Sequence, residues 1–307
     1  MSKSHFLQSN AWEKFQTVLG RKTLRRQGDG WSYLAIVERS AGLTRLYCPY
    51  GPTVETTESL EAALDSLKQE ALAAQAAYLR VQPMGVDLNT TKVGQYKLLT
   101  VNYSQPEVTQ LIDLTRSLDE IYADISQSKR SICRNYQNKG LVYSTSHDPG
   151  DIEKLLPLLH EVAGRNKIAI HTDDYLRTQA HALMPEHASL HFMTLSGEIV
   201  AAALVFEDLV TNYYAHAGNT LAHRELSAST ALVGAIISYS KDQGKQSFDL
   251  YGIAPNDDPN HPWAGVTKFK LSFGGQTVKY NPTFEIALSA LPYAAYRVAR
   301  RLARFKK

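Results

Sequence analysis

Read for periodicity, the chain runs twice through one succession of elements: helix, hairpin, strand, helix, strand. In the first pass, "HFLQSNAWEKFQTVLG" places Trp12, Phe15 and Leu19 at helical intervals behind a Ser-Asn cap. "WSYLAIVERSAGLTRLYCPYGPTV" alternates, breaks at Ala41-Gly42 and alternates again, which predicts a hairpin. An Ala- and Leu-rich stretch beginning "SLEAALDSLKQ" predicts a long helix, and "YLRVQP" a strand after it. A strand, a helix, a basic helical stretch and another strand fill the interval to residue 146. In the second pass, Ile152, Leu155, Leu156, Leu159 and Val162 share a helical face, three strand-like runs cover "SLHFMTLSGEIVAAALVFEDLVTNYYAHAG", a helix stops at Gly244, and "QSFDLYGI" is a buried strand. A duplicated α/β domain is the expectation.

At 307 residues there is room for two cores, and 44% hydrophobic with 21% charged residues is an ordinary globular balance. A net charge of +3 names no polyanionic partner by itself, so basic surface has to be sought locally. Cys48 and Cys133 lie far apart without metal or disulfide spacing, which suits a reducing compartment. The apolar stretch 197–210 is interrupted by Glu198, Glu207 and Asp208, so a cytoplasmic protein without a transmembrane span is expected. No H-E-x-x-H, P-loop or Cys/His spacing occurs, and no metal is proposed. "SKRSICRNYQNKG" carries Lys129, Arg130, Arg134 and Lys139 over about three helical turns. They form either a phosphate-backbone surface for a nucleic acid or a solvated face.

The closing segment "FEIALSALPYAAYRVARRLARFKK" spaces Leu288, Leu291, Ala295, Val298, Leu302 and Phe305 along one face. The other face carries Arg297, Arg300, Arg301, Arg304 and two terminal lysines. The expectation is that the apolar stripe packs on the protein and the arginines face water. Any peripheral membrane contact would then be weak, electrostatic and non-inserting.

Five stretches in order, "FLQSNAWEKFQ", "YCPYGPTV", "DLTRSLDEIYADISQSKRSICRNYQNKGLVY", "SFDLYGI" and "TKFKLSFGG", resemble the Fem (FemABX) family of peptidoglycan interpeptide-bridge aminoacyltransferases. The resemblance covers nearly the whole chain and is to compact members without the helical arm. It implies an α/β (α+β) fold of two tandem GNAT-like domains, each a mixed sheet flanked by helices, with a C-terminal helix. The expected division is 1–146 and 147–284, with the helix 285–307 joined to the first domain. The implied activity is transfer of an amino acid from aminoacyl-tRNA to an amine on the stem peptide of a UDP-linked or lipid-linked muropeptide. Aminoacyl-tRNA is then a co-substrate, and no cofactor is expected.

An activated ester attacked by an amine mainly needs two partners held together and a developing oxyanion stabilised. The resemblance puts Lys270 in the acyl-transfer channel and Phe269 near the tRNA acceptor end. The alternative is a strand lysine pointing to water beside a core phenylalanine. Phe273-Gly274-Gly275 reads as a packed aromatic followed by a turn where side chains do not fit. For the precursor, the resemblance implies Lys14 and Arg80, with Tyr175, Tyr214 and His216 facing substrate, and His171 where compact relatives carry a phosphate-binding arginine. Lys14 can equally be an exposed helix residue, and each histidine a satisfied structural one. Gln82 stands in place of an acid and Tyr50 in place of an arginine, so the acceptor pocket departs from the family pattern. Rival functions are tRNA-dependent transfer to another amine, a non-catalytic binder, and an acyl-CoA N-acyltransferase. "NTLAHRELSAS", which precedes the second domain's long helix, lacks the glycines of a pyrophosphate loop and argues against the last.

Overall fold

The structure is a computed structural model that describes residues 4–40, 42–102, 104–166, 168–256 and 258–304. The chain begins with α1 (Asn10–Val18), β1 (Thr23–Gly28), β2 (Trp31–Ser40), β3 (Leu43–Cys48), β4 (Thr53–Val54), α2 (Thr57–Ala73) and β5 (Tyr78–Val81). Three two-residue strands follow, β6 (Lys92–Val93), β7 (Tyr96–Lys97) and β8 (Leu99–Thr100). Next come β9 (Val108–Asp113), α3 (Leu118–Asp124), α4 (Gln127–Asn135), β10 (Leu141–Ser146), α5 (Leu156–Asn166) and α6 (Asp173–Leu183). After them lie β11 (Ala188–Leu195), β12 (Glu198–Glu207), β13 (Thr211–Asn219), α7 (Ala228–Asp242), β14 (Ser247–Gly252), α8 (Ala264–Leu271) and β15 (Gln276–Lys279). β16 (Phe284–Ala287) and α9 (Ala290–Arg304) complete the described chain.

Two compact units result. The first comprises residues up to Glu107 together with the segment from Tyr280 onward, and the second is Val108–Lys279. The boundary expected at 146/147 is thus displaced to 107/108. The cause is long-range pairing: β9 is hydrogen-bonded between β14 and β15, and Cys133 of α4 packs in the same core as α7. Residues 108–146 therefore complete the second sheet instead of the first.

In the first unit the sheet order is β1-β2-β3-β5-β16-β8, with β4 against β2. All neighbours are antiparallel except β3 and β5, which run parallel across the α2 crossover. α2 is held at its start by a capping box between Thr56 and Ser59, and its face of Leu60, Ala63, Leu64, Leu67 and Ala71 is buried on the sheet. The parallel seam continues beyond the strands, because Gln82 N donates to Gly51 O at 2.9 Å and Met84 N to Pro52 O at 2.9 Å. The alternation at "TLRRQG" also forms a strand, β1, so the predicted hairpin is a three-stranded meander.

The last helix packs the other way round from the expectation. Tyr293 and Tyr296 are buried, with Tyr296 stacked on Tyr78 at 5.0 Å, whereas Leu291 is 84% and Val298 59% exposed. Leu288 is half-buried beside the first core; the side chain of Leu302 and all of Phe305 lie outside the description. The physical cause is Glu285 of β16, 1% exposed. Its Oε1 accepts from Nε of Arg80 at 3.0 Å and also from Nη2, while Oε2 accepts from the Tyr293 hydroxyl at 2.8 Å. Arg300 stands 3.6 Å away. A buried carboxylate must be paired and hydrogen-bonded, and the tyrosine-arginine face of α9 does this where Leu and Val would leave it bare.

The second sheet has the order β10-β11-β12-β13-β14-β9-β15 and repeats the plan: an antiparallel meander β11-β12-β13, the crossover helix α7, and β14 parallel to β13. α7 is buried continuously from Thr230 to Ile237 and centres the core with Phe248, Leu250 and Phe273. Gly274 and Gly275 have φ of 72° and 81°, and a Cβ on Gly275 would lie 2.3 Å from the Leu111 carbonyl oxygen. The turn after Phe273 therefore requires glycine, as expected. Two helices, α6 and α8, go beyond the sequence reading.

Removing one member of the Arg80–Glu285 pair leaves an uncompensated buried charge. Glu285→Leu is expected to lower stability by about 3 to 5 kcal/mol in urea denaturation. A loss below about 1 kcal/mol would show that the arginine finds water or another partner.

Candidate functional site

β13 and β14 keep parallel register only from Thr211↔Ser247 to Tyr213↔Asp249. Beyond that point two bulges part them. Val205 pairs with Tyr214 and Leu204 with His216, so Ala215 is an extra residue in β13. β14 slips against β9 between Asp249 and Gly252, with Tyr251 in the left-handed region at φ 65°. For a non-glycine residue that conformation is strained, and it persists only where the surroundings fix it.

α8 serves the backbone of this opening. Lys270 Nζ donates to the Gly252 carbonyl at 2.8 Å, and one turn earlier the Thr267 hydroxyl accepts from Ala254 N at 2.8 Å. Beside it lies a cleft of about 450 Å³ whose lining includes Tyr214, Asn219, Trp263, Phe269, Lys270 and Arg165. Such a size suits a small polar group with an apolar body.

Lys270 is 9% exposed, and burial lowers its ammonium pKa to about 8 against the opposing charge of Asp249. Near neutral pH it is a cation with little water around it. Burial raises Asp249 to about 6, countered by hydrogen bonds from the Thr109 hydroxyl and Tyr251 N and by the charge of Lys270. The two form a buried, oppositely charged set at the end of β14. Burial also raises the Tyr214 phenol well above its ordinary range, so it stays a neutral hydroxyl.

Lys270 and Phe269 are on a helix, not a strand. Phe269 is partly buried and meets Phe273 edge-on at 5.1 Å. Lys129 Nζ lies over its ring at 4.3 Å and donates to its carbonyl at 3.4 Å; burial lowers that lysine's pKa. Arg130 donates to the carbonyls of Ala123 and Ile125 at the end of α3, at 2.6 and 3.0 Å, and Arg134 pairs with Asp119 at 2.8 Å. The three basic residues of α4 are therefore engaged within the second unit, with Arg134 the most exposed of them.

The bulge at Ala215 sends Tyr214 and His216 to different neighbours. Tyr214 joins the α7 core, while His216 Nε2 meets Oε1 of Gln179 on α6 at 2.9 Å. His171 stacks on Tyr175 at 4.1 Å and meets His216 edge-on at 5.8 Å, so three candidates form one cluster. Burial, then the His171 charge, lowers the His216 pKa to about 3, which keeps it neutral. Lys14 is exposed on α1 of the first unit, and Arg80 is buried there against Glu285. Glu285 comes from the far end of the chain, so no local motif could reveal it. Asp249 was missed as well, although a lone acid in the apolar strand "SFDLYGI" is a signal that could have found it. Trp263 and Arg165 carried no signal.

The architecture defines the class: two tandem GNAT-like units. A tandem GNAT protein from the clavulanic acid biosynthesis pathway, without acetyl-CoA, matches with a TM-score of 0.50 at 13% identity over 85% of this chain and 80% of that one. A crystal structure of FemX matches with a TM-score of 0.81 at 16% identity, covering 96% of this chain and 95% of the other. Residues 194–301 match the FemAB family model. Aminoacyltransferase FemA of Staphylococcus aureus is 28% identical over 90 residues, 29% of this chain and 21% of that protein's length. The likeness to the FemAB family thus rests on the later part of the second unit and most of the last helix, and the chain spans about a fifth of the length of the FemA it matches.

A buried lysine with a lowered pKa binds fewer protons folded than unfolded, so its contribution to stability rises with pH from about 8 to the ordinary 10.5. Lys270→Met is expected to remove that rise relative to the natural chain in denaturant titrations across this window, without lowering stability at neutral pH. Parallel pH profiles for the two proteins would mean that Lys270 titrates as if in water.

Proposed function

We propose that this chain transfers an amino acid from aminoacyl-tRNA to an amine of a peptidoglycan precursor stem peptide, forming an interpeptide bridge. The observation that carries the reading is Lys270, a nearly water-free cation on the lining of an open cleft. The match of residues 194–301 to the FemAB family supports the substrate class. The acceptor amine attacks the ester carbonyl, a C–N bond forms, and the carbonyl oxygen takes up negative charge. Nζ of Lys270, fixed by Gly252, has further N–H groups to donate to that oxygen, and the dry surroundings strengthen the interaction. Collapse breaks the ester C–O bond. The ribose oxygen leaves as a hydroxyl, the proton balance being met by the proton lost from the amine. No cofactor enters this chemistry.

The His171–Tyr175–His216 cluster, in which burial keeps His216 neutral, supports a second reading of the acceptor. An imidazole at His171 lacks the bidentate fork of a guanidinium, which favours an acceptor whose phosphate is bound elsewhere or is absent. Transfer to a different amine would use the same cleft and the same lysine.

Incubation with charged total tRNA and either the UDP-linked or the lipid-linked muropeptide, followed by mass spectrometry for an added amino acid, tests the reaction. Lys270→Met should lower transfer by about two to three orders of magnitude while keeping normal melting. In the natural chain the rate should fall as pH rises through about 8, where the cation is lost. Activity within a few-fold of the natural chain would remove Lys270 from the mechanism. For tRNA, Arg134→Gln should reduce the salt dependence of binding by roughly one unit of slope. An unchanged slope would leave α4 a structural helix held by its own ion pair and cation–π contacts.

A further inference from the structure

The outward face of α9 is unexplained by anything in the transfer chemistry. Leu291 and Val298 stand two turns apart and are 84% and 59% exposed, with exposed Ala294 and Ala295 between them. This is an apolar stripe on a helix whose inner face is already committed to Tyr78, Glu285 and Arg80. At about 100° per residue, Arg301 and Arg297 fall about 60° and about 100° to the same side of Val298. Both guanidiniums border a cleft of about 190 Å³ floored by Glu285 and Tyr296 and walled by Thr100 and Asn102. Glu285 already has Arg80, Arg300 and Tyr293 as partners, so Arg297 and Arg301 are cations in excess of the local acid.

We infer that α9 lies in the interface of an anionic lipid surface, its Leu291/Val298 stripe at the acyl boundary and Arg297 and Arg301 at headgroup phosphates. A stripe flanked by cations at that angle is the pattern of an interfacial helix, whose long basic side chains reach out to the headgroups. No helix among the described residues is long and apolar enough to cross a membrane, so the contact is peripheral. A second copy of the chain fits less well, since stripe-to-stripe packing would bring two arginine flanks together. A rigid protein partner would want a large anchor side chain, and Leu, Val and Ala offer a shallow ridge that a fluid phase covers as readily. The contact is also unlike the one the sequence implied, because apolar side chains enter the interface and salt alone does not abolish it.

Co-sedimentation with vesicles of equal parts phosphatidylcholine and phosphatidylglycerol, against pure phosphatidylcholine, tests the inference. Binding to the mixed vesicles is expected, falling but persisting at high salt. Leu291→Glu with Val298→Glu should weaken it by at least about tenfold. Arg297→Gln and Arg301→Gln should each weaken it by about fivefold and reduce the preference for the anionic lipid. Both pairs lie on the surface, and unchanged melting confirms that they fold. Absence of binding to mixed vesicles at low salt, or binding unchanged in the Leu291/Val298 variant, overturns the inference. So does sedimentation-velocity detection of a dimer that the same variant dissociates while vesicle binding is absent; the face would then be self-associating.

Discussion

A continuous parallel pair satisfies its own backbone, and where β13 and β14 part, the groups at the end of β14 need other partners. Gly252 O accepts from Lys270, Ile253 N donates to Val108 O at 2.9 Å, and Ala254 N donates to Thr267 Oγ1. Two of these three bonds come from side chains one turn apart on α8, a helix of eight residues. The helix is therefore fixed by the opening, and the opening is kept from closing by the helix. The same bond that completes the backbone's hydrogen bonding holds an ammonium on the lining of the cleft. Asp249, at the last paired position, supplies the field that keeps this ammonium charged near neutral pH despite its burial.

Much of this architecture could be read from periodicity. The repeated succession of elements and the glycine pair after Phe273 are local facts, and local facts survive folding. The domain boundary did not survive, because β9 belongs to the second sheet by pairing with β14 and β15, more than a hundred residues away in sequence. α8 was hidden for a different reason: "AGVTKFKL" is short, and its buried residue is the charged one, Lys270. A pattern of apolar positions cannot announce a helix that buries a lysine.

α9 shows the same limit more sharply. Its apolar residues do repeat at helical spacing, and the usual inference sends such a stripe inward. The interior it meets contains Glu285 and Arg80, so burial selects for hydroxyls and guanidiniums instead. Tyr293, Tyr296 and Arg300 occupy that side, and Leu291 and Val298 are left outside as a geometric consequence. Binary patterning presumes an apolar core. It inverts where a buried ion pair, brought together over 205 positions of sequence, sets the polarity of the surface being covered.

The two units thus solve one topological problem in opposite ways. In the first, the parallel seam between β3 and β5 is carried onward by Gln82 to Gly51 and Met84 to Pro52, and the charged pair sits across the neighbouring β5–β16 seam, where Arg80 faces Glu285 in register. In the second, the corresponding seam stops after three residue pairs and a single lysine stands at its mouth. A closed seam leaves no backbone group for a ligand or a side chain to address. An open one leaves backbone groups for side chains to complete, and here Lys270 and Thr267 complete them beside the cleft. Duplication of the fold therefore does not duplicate the site: the pairing that makes the first unit a well-sealed sheet is the pairing the second has given up to hold Lys270.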